Sequence, residues 1–413
     1  MKTTILRFAY LLIIGLSFQS CLKDECTHEV EYVEWSPVYM SLDEMRNEIK
    51  LALPKENKNP GKIYVYNDYL LINEFNEGIH VIDNSNPQAP VNKGFIAISG
   101  NIDMAVSNNI LYADNFANLL SIDIHDCLNP KLVDFKAALF NLYGKNSDGK
   151  YLVKYKSQIV KRTQACGAYP DIFYEGDFVL TAVGSKKTGP NANTPARSSG
   201  IGGSFARFTI QGDFLYIVNH NELNTYSIIN PFKPELKSSQ KVAWDIETIF
   251  PHDEYLFIGA RSGMYIFSIE QPASPLYLSK FVHANACDPV YVDQNLAYVT
   301  LRSGTECNGF TNQLEIIDVR DLLKPSLLRK HDMKNPHGLS VDQDLMVLCE
   351  GEYGFKTMQL LPDAQIHEYG LFKSHAAYDV IMLSPELVII IGKDGLYQYN
   401  LENPSQPKLL SKI

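Results

Sequence analysis

Ile82-Asp83-Asn84-Ser85-Asn86-Pro87-Gln88-Ala89-Pro90 and Tyr399-Asn400-Leu401-Glu402-Asn403-Pro404-Ser405-Gln406-Pro407 share one plan. In each, a polar residue closes an apolar run and stands seven positions before a proline. The same offset joins Asp123 to Pro130, Ser227 to Pro234, Ser268 to Pro275 and Asp318 to Pro325, and Gln359 to Ile366 keeps the spacing without the proline. Successive marks are 40, 104, 41, 50, 41 and 41 residues apart. A period near 40 with several short strands per unit is the signature of a β-propeller.

Inside each unit the strand signals agree. Tyr69-Leu70-Leu71-Ile72, Tyr255-Leu256-Phe257-Ile258 and Leu387-Val388-Ile389-Ile390-Ile391 are short apolar runs of the kind that form strands buried on both faces. Gly78, Gly263, Gly354 and Gly395 recur five residues before the polar mark, with Asn118 in the same place. Gly and Asn tolerate positive φ, so a tight turn between two strands is expected there. Each unit then supplies four strands, one blade. The fold class expected is all-β: a single propeller of eight four-stranded blades, or seven, with a short N-terminal helical segment. Eight follows if the interval between Asn141 and Gly203 hides one irregular unit. Ser41 as N-cap and Glu44 as its capping-box partner place the helix before Met45 and Ile49. Val33 to Met40 is a candidate strand to close the ring. Residues 184 to 203 read as a polar surface loop, from their Gly, Ser and Pro content.

The chain has 413 residues, 45% of them hydrophobic, which allows a large core in one radial domain. Its 24 Tyr and 20 Phe against 2 Trp suit strands. A formal net charge of -10 argues against a nucleic-acid partner, because phosphate binding needs a basic face.

The N-terminus reads as a targeting segment. Lys2 and Arg7 precede an apolar run from Phe8 to Phe18, too short to span a bilayer as a helix, and Gln19-Ser20-Cys21 follow. These residues resemble the lipobox of bacterial lipoproteins, with Phe18 where Leu is usual. The resemblance implies lipidation of Cys21 and a membrane partner through the lipid. An ordinary secretory signal with an incidental cysteine is the alternative. Lys23-Asp24-Glu25 resembles the export signal of Bacteroidetes surface lipoproteins, implying the outer face of the outer membrane. The expected division is residues 1-20 as signal peptide, 21-60 as a tether with its short helix, and 61-413 as propeller. Of the remaining cysteines, Cys287 and Cys307 are a possible disulfide across one hairpin, and Cys349 reads as a small core residue.

Ile79-His80-Val81-Ile82-Asp83, Leu314-Glu315-Ile316-Ile317-Asp318 and the Asn-Pro turns resemble the LVIVD repeat. Pro60-Gly61-Lys62-Ile63-Tyr64, Gly202-Gly203-Ser204-Phe205-Ala206-Arg207-Phe208, Trp244-Asp245-Ile246-Glu247-Thr248-Ile249-Phe250-Pro251 and Cys287-Asp288-Pro289-Val290 extend the likeness. Together they resemble the LVIVD-repeat lipoproteins of Bacteroidetes over nearly the whole mature chain. The resemblance implies a propeller and an envelope location, and implies no activity.

One constellation keeps step with the repeat. Just before the first strand of each unit stand Lys62, Asp103, Arg207, Glu247, Asp288, His337 and Asp379, spaced by 41, 104, 40, 41, 49 and 42 residues. Innermost strands line a propeller's channel, so these residues form a candidate charged ring there. Two readings compete. Convergent carboxylates and a histidine would suit a ligand or a divalent cation in the channel. Mixed signs equally suit mutual pairing of buried charges. No nucleophile elbow, His-Glu-x-x-His pair, phosphate loop or dinucleotide fingerprint is present. The expected function is therefore a cell-envelope binding or scaffolding module for a protein or glycan. A hydrolase or lyase at the charged channel mouth and a purely structural envelope protein are the alternatives.

Overall fold

A computed structural model describes residues 27–137, 145–165, 172–175, 178–182, 206–219, 221–244, 246–282, 290–302 and 311–413. Cys21, Asn141, Cys287, Asp288, Cys307 and the loop 184–203 lie outside them. The chain divides into two compact units: the described parts of Met1–Tyr39 with Lys154–Asn193, and of Met40–Val153 with Thr194–Ile413.

The larger unit is a propeller of seven blades, the smaller of the two expected counts. Strands a to d of the first blade are Pro60–Tyr66, Tyr69–Glu74, Gly78–Asp83 and Val91–Ala97, all antiparallel in sequence order. The inner strands a of the other six are Met104–Ser107, Phe208–Gln211, Ile246–His252, Val290–Asp293, Leu339–Asp342 and Asp379–Ser384. The core is a ring of seven apolar seams, one between each pair of neighbouring blades. The seventh seam closes the ring: Ile63, Leu70, Ile72 and Ile82 of the first blade pack on Ile389, Ile391 and Leu396 of the last. Strand b is buried on both faces in each blade, as its apolar run demands, and strand d is less buried, most of all at Glu235–Lys241 and Ser326–Asp332. Each fully buried Leu or Ile contributes about 1.5–3 kcal/mol.

The long interval does not hold an eighth blade. Its strands Tyr151–Ala165, Ile172–Glu175 and Phe178–Ala182 form a separate four-stranded sheet with the N-terminal strand Thr27–Met40. Tyr32 to Trp35 pair antiparallel with Val179 to Ala182 in this sheet. A regular blade needs four strands consecutive in sequence, and here the N-terminal strand lies between Tyr151–Ala165 and Phe178–Ala182. Val33 to Met40 accordingly does not close the ring. What the N-terminal region adds to the propeller is Lys50–Ala52, a fifth strand on the outer edge of the first blade. The helix forms over Leu42–Asn47, with the Ser41–Glu44 capping box made in both directions.

The polar mark closes strand c and folds the loop after it. Asp83, Asp123, Asp318 and Asn400 each accept a hydrogen bond through Oδ1 from the backbone N–H two residues on, at 3.1, 2.9, 2.9 and 3.0 Å. Ser268 does the same through Oγ at 3.2 Å. A second such turn follows at Asn86, Asp126, Asn230, Asp321 and Asn403. These are Asx and Ser/Thr turns, in which a side chain replaces a backbone acceptor. Removing one acceptor costs about 1 kcal/mol. Asp83→Ala should therefore lower stability by about that much, as equilibrium urea unfolding would show, with the fold kept.

Strands alternate in direction, so a–b turns and c–d loops share one face of the ring, and b–c turns and d–a connections share the other. All seven a–b turns have two residues, and six of seven c–d loops have seven. On the opposite face nothing is constant: b–c turns run from two residues (Phe116, Ala117) to eleven, and d–a connections from four to seventy-one. One face is a uniform base, the other a variable face.

Candidate functional site

The ring residues stand where the repeat puts them, at the entry to strand a on the variable face. Lys62 is the third residue of its strand, Glu247 the second and Asp379 the first, while Asp103, Arg207 and His337 lie just ahead of theirs. Asp288 lies outside the described residues.

The structure brings three of them together. Lys62 Nζ lies 3.0 Å from Asp103 Oδ1 and donates to the Phe208 carbonyl at 3.0 Å. Asp103 Oδ2 accepts from the backbone N–H of Phe208 at 2.9 Å and from that of Arg207. Its Oδ1 accepts from Met104 N at 2.6 Å. Both side chains are buried. One ammonium and one carboxylate thus stitch the inner strands of three consecutive blades, which is the pairing that buried charges require.

The other members engage different partners. Glu247 meets Arg261 of its own b–c turn at 3.8 Å. His337 lies against Arg302, whose Nη1 is 3.1 Å from His337 Nε2, and Asn335 Nδ2 approaches the same nitrogen at 3.2 Å. Burial and the neighbouring Arg302 charge hold the His337 imidazole well below its ordinary range, so it is neutral. Tyr378 sits edge-on to that imidazole at 5.2 Å. Asp379 is fully buried against Gly338, where any Cβ would overlap its carboxylate. Among the described residues no three His, Cys, Asp or Glu side chains form a metal-holding group.

A second layer escaped sequence reasoning. Asp114 Oδ1 accepts from Asn101 Nδ2, Ile102 N and Asp103 N at 2.8, 2.7 and 3.0 Å, holding the connection that carries Asp103. Asn101 is itself tied to Asn73 of the first blade at 2.6 Å. Glu74 and Glu350 perform one task in blades one and six. Each accepts two successive backbone N–H groups ahead of its strand a: Lys58 and Asn59, and Lys334 and Asn335. Each also pairs with the residue six positions on, His80 at 3.1 Å and Lys356 at 3.1 Å. Glu350 and Glu368 keep the Lys356 ammonium charged against burial. The signal was present as Glu74-x-x-x-Gly78-x-His80 and Glu350-x-x-x-Gly354-x-Lys356.

Burial drives the Asp114 carboxyl from its usual range up to about 7, and the nearby Asp103 charge adds to the shift. A carboxyl raised in the folded state contributes stability that is complete below its unfolded pKa and is lost as pH rises through the folded one. Stability should therefore fall on the order of 2–4 kcal/mol between about pH 4 and pH 8 through this group. Asp114→Asn keeps the Oδ1 acceptor and removes the titration. Its pH–stability profile should be flatter than the wild type's, and parallel profiles from urea unfolding would refute the assignment.

On the variable face Trp244 is 81% exposed and Tyr353 48%. Lys334 lies over the Tyr353 ring, and Tyr378 donates to Glu352 at 2.8 Å. Beneath them, Lys62 and Asp103 are occupied with each other, and Glu247 with Arg261.

No family model matches the sequence, and no curated protein does. Solved structures do match in fold. The periplasmic gluconolactonase PpgL of Pseudomonas aeruginosa aligns over 93% of this chain and 96% of its own, with TM-score 0.54 and 10% identity. The computationally designed protein Ika8 aligns over 88% and 89%, with TM-score 0.53 and 11% identity. Sqt1 of Saccharomyces cerevisiae aligns over 87% of each chain, with TM-score 0.53 and 10% identity. At such identity the likeness shows the all-β propeller fold.

Proposed function

We propose that this protein is a lipid-anchored binding or scaffolding module of the cell envelope, of the LVIVD-repeat kind. Cys21 holds it to the outer face of the outer membrane, and the variable face meets a protein or glycan. The observation that carries this reading is the asymmetry of the two faces. Apart from one three-residue c–d loop at 362–364, every irregular connection falls on one side, with Trp244 and Tyr353, while the turns of the other are uniform. A rigid scaffold with its sequence variation gathered in loops at one end is built for recognition. The ring charges support the same reading, because Lys62 and Asp103 bind neighbouring strands. The lipobox-like residues and Lys23-Asp24-Glu25 support the location.

The anchor is tested by feeding cells an alkynyl fatty acid. Wild type is expected to take the label and to be shaved from intact cells by protease, and Cys21→Ala to take none. An unlabelled wild type would refute the lipid. The binding role is tested by thermal-shift screening of the chain against common glycans and divalent cations. A shift lost in Trp244→Ala supports it. Turnover of a substrate that His337→Ala and Asp288→Ala abolish, with the fold intact, would replace it with a hydrolase or lyase.

A further inference from the structure

Residues 373–378 join the sixth and seventh blades on the variable face, between strands Gln365–Phe372 and Asp379–Ser384. Backbone bonds hold the second half of this connection: Ala377 N donates to the Gly351 carbonyl at 2.9 Å and Tyr378 N to the Ile391 carbonyl at 2.8 Å. Its first half is held through side chains, chiefly the half-buried His375. That imidazole lies flat on Tyr397 of the last blade, with centroids 3.6 Å and planes 5° apart, and the Phe355 ring of the sixth blade is 6.0 Å away.

Both ring nitrogens are engaged, and their partners fix the tautomer. Nδ1 lies 2.7 Å from the Ala376 carbonyl, which can only accept, so Nδ1 carries the hydrogen. Nε2, 2.9 Å from the Tyr399 hydroxyl, then accepts from it in the neutral ring. The exposed Ser374 hydroxyl lies 2.9 Å from the same Tyr399 oxygen and links the chain to water. A proton added at Nε2 meets the Tyr399 hydrogen, and that hydroxyl has to turn towards Ser374.

The surroundings do not favour a charge. From the sixth blade Phe355 and Phe372 bring none, and Lys373 on the connection itself is exposed. The last blade presents the hydroxyls of Tyr397 and Tyr399, the Asp394 carboxylate and the Lys412 ammonium. Asp394 already accepts from Lys412 at 2.6 Å and from the Tyr397 hydroxyl at 2.7 Å, and Lys412 lies over the Tyr397 ring at 5.2 Å. The acid and the ring that would steady an imidazolium are thus shared with an ammonium. Burial holds the His375 imidazole below its ordinary range, against the opposing pull of the Ala376 carbonyl and Asp394.

We propose that His375 is a pH-operated latch on this connection, closed when neutral and released when protonated. Ala377 and Tyr378 adjoin it, so a connection freed at 373–376 frays towards their two backbone bonds. Tyr378 carries the effect to the variable face, where it donates to Glu352 at 2.8 Å and sits edge-on to His337 at 5.2 Å. A base held below its ordinary value of 6.5 contributes stability that is complete above that value and is lost as pH falls through the folded one. The latch is therefore closed at neutral pH and opens in a mildly acid medium. Its effect on a bound ligand rests on the recognition reading of the variable face, whereas the latch itself does not.

The test is amide hydrogen exchange of the full chain, without ligand, at about pH 7.5 and about pH 5.5, corrected for the intrinsic pH dependence of exchange. Protection over residues 373–379 is expected to be about tenfold lower at the acid pH, and unchanged in the base loop 401–407 of the last blade. In His375→Gln, which does not titrate, protection should be equal at the two pH values. Should that variant loosen the connection at both, NMR of selectively labelled histidine rings in the wild type decides, with the His375 midpoint expected below 6.5 and in step with the exchange. Unchanged protection in the wild type, an acid loss kept in the glutamine variant, an equal loss in residues 401–407, or a His375 midpoint out of step with the exchange would each overturn it.

Discussion

Asp103→Ala is expected to cost the propeller about 3–5 kcal/mol, because it strands a buried charge and three backbone donors together. Asp103 is 2% exposed and Lys62 8%. With the carboxylate gone, the Lys62 ammonium keeps only the Phe208 carbonyl, and the N–H groups of Met104, Arg207 and Phe208 lose this acceptor. Asp103→Asn retains an acceptor and should cost less, about 1–3 kcal/mol. Lys62→Met leaves Asp103 with three backbone donors and should also cost less than the alanine. Combined with Asp103→Ala it should give a loss smaller than the sum, with a coupling of about 1–3 kcal/mol in a double-mutant cycle by urea unfolding. Additive losses would mean that the two charges act on different parts of the ring.

Gly78→Ala is expected to be as damaging, at about 3 kcal/mol or more. Gly78 opens strand c at φ 142°, and a Cβ there would overlap the Ile96 carbonyl oxygen of strand d. The backbone, not a flexible side chain, occupies the space. Gly263, Gly354 and Gly395 meet Phe281, Phe372 and Ile413 carbonyls in the same way. Gly212 supplies the control: its φ is 54°, with nothing within 4 Å of a would-be Cβ. Gly212→Ala should cost only about 1 kcal/mol of left-handed strain. Equal losses at both glycines by urea unfolding would show that φ, rather than close approach, is what glycine serves.

The glycine comparison marks where sequence reading stops. A residue tolerant of positive φ was legible five positions before five of the seven marks, and a tight b–c turn was the local explanation. The governing contact is with strand d, which no local pattern reveals. The marks themselves were legible because Asx turns involve residues two apart, so Asp83, Asp123 and Asn400 announce the loop they fold. The blade count was not, since a 104-residue interval fits an irregular blade or an insertion equally. Only the pairing of Thr27–Met40 with Phe178–Ala182 decides for the insertion.

Within the ring, Lys62 and Asp103 could be aligned from their spacing of 41 residues, but whether they touch depends on depth and direction at the blade junction. Arg302 follows strand b, outside the aligned position, and so its approach to His337 was invisible. Glu74 and Glu350 had a repeated spacing to glycine that sequence alone offers no reason to single out from chance. Burial gave them meaning, because a carboxylate under the variable face must answer backbone donors.

The proposal that recognition lies on the variable face is tested most directly by photo-crosslinking on intact cells. A photoreactive side chain is placed at Trp244 or Tyr353 on that face, and at Ser274 or Ser405 in the base loops. Discrete adducts with a protein or glycan, formed from Trp244 and Tyr353 and absent from Ser274 and Ser405, are the predicted result. Ligand adducts formed from the base positions alone would contradict the account.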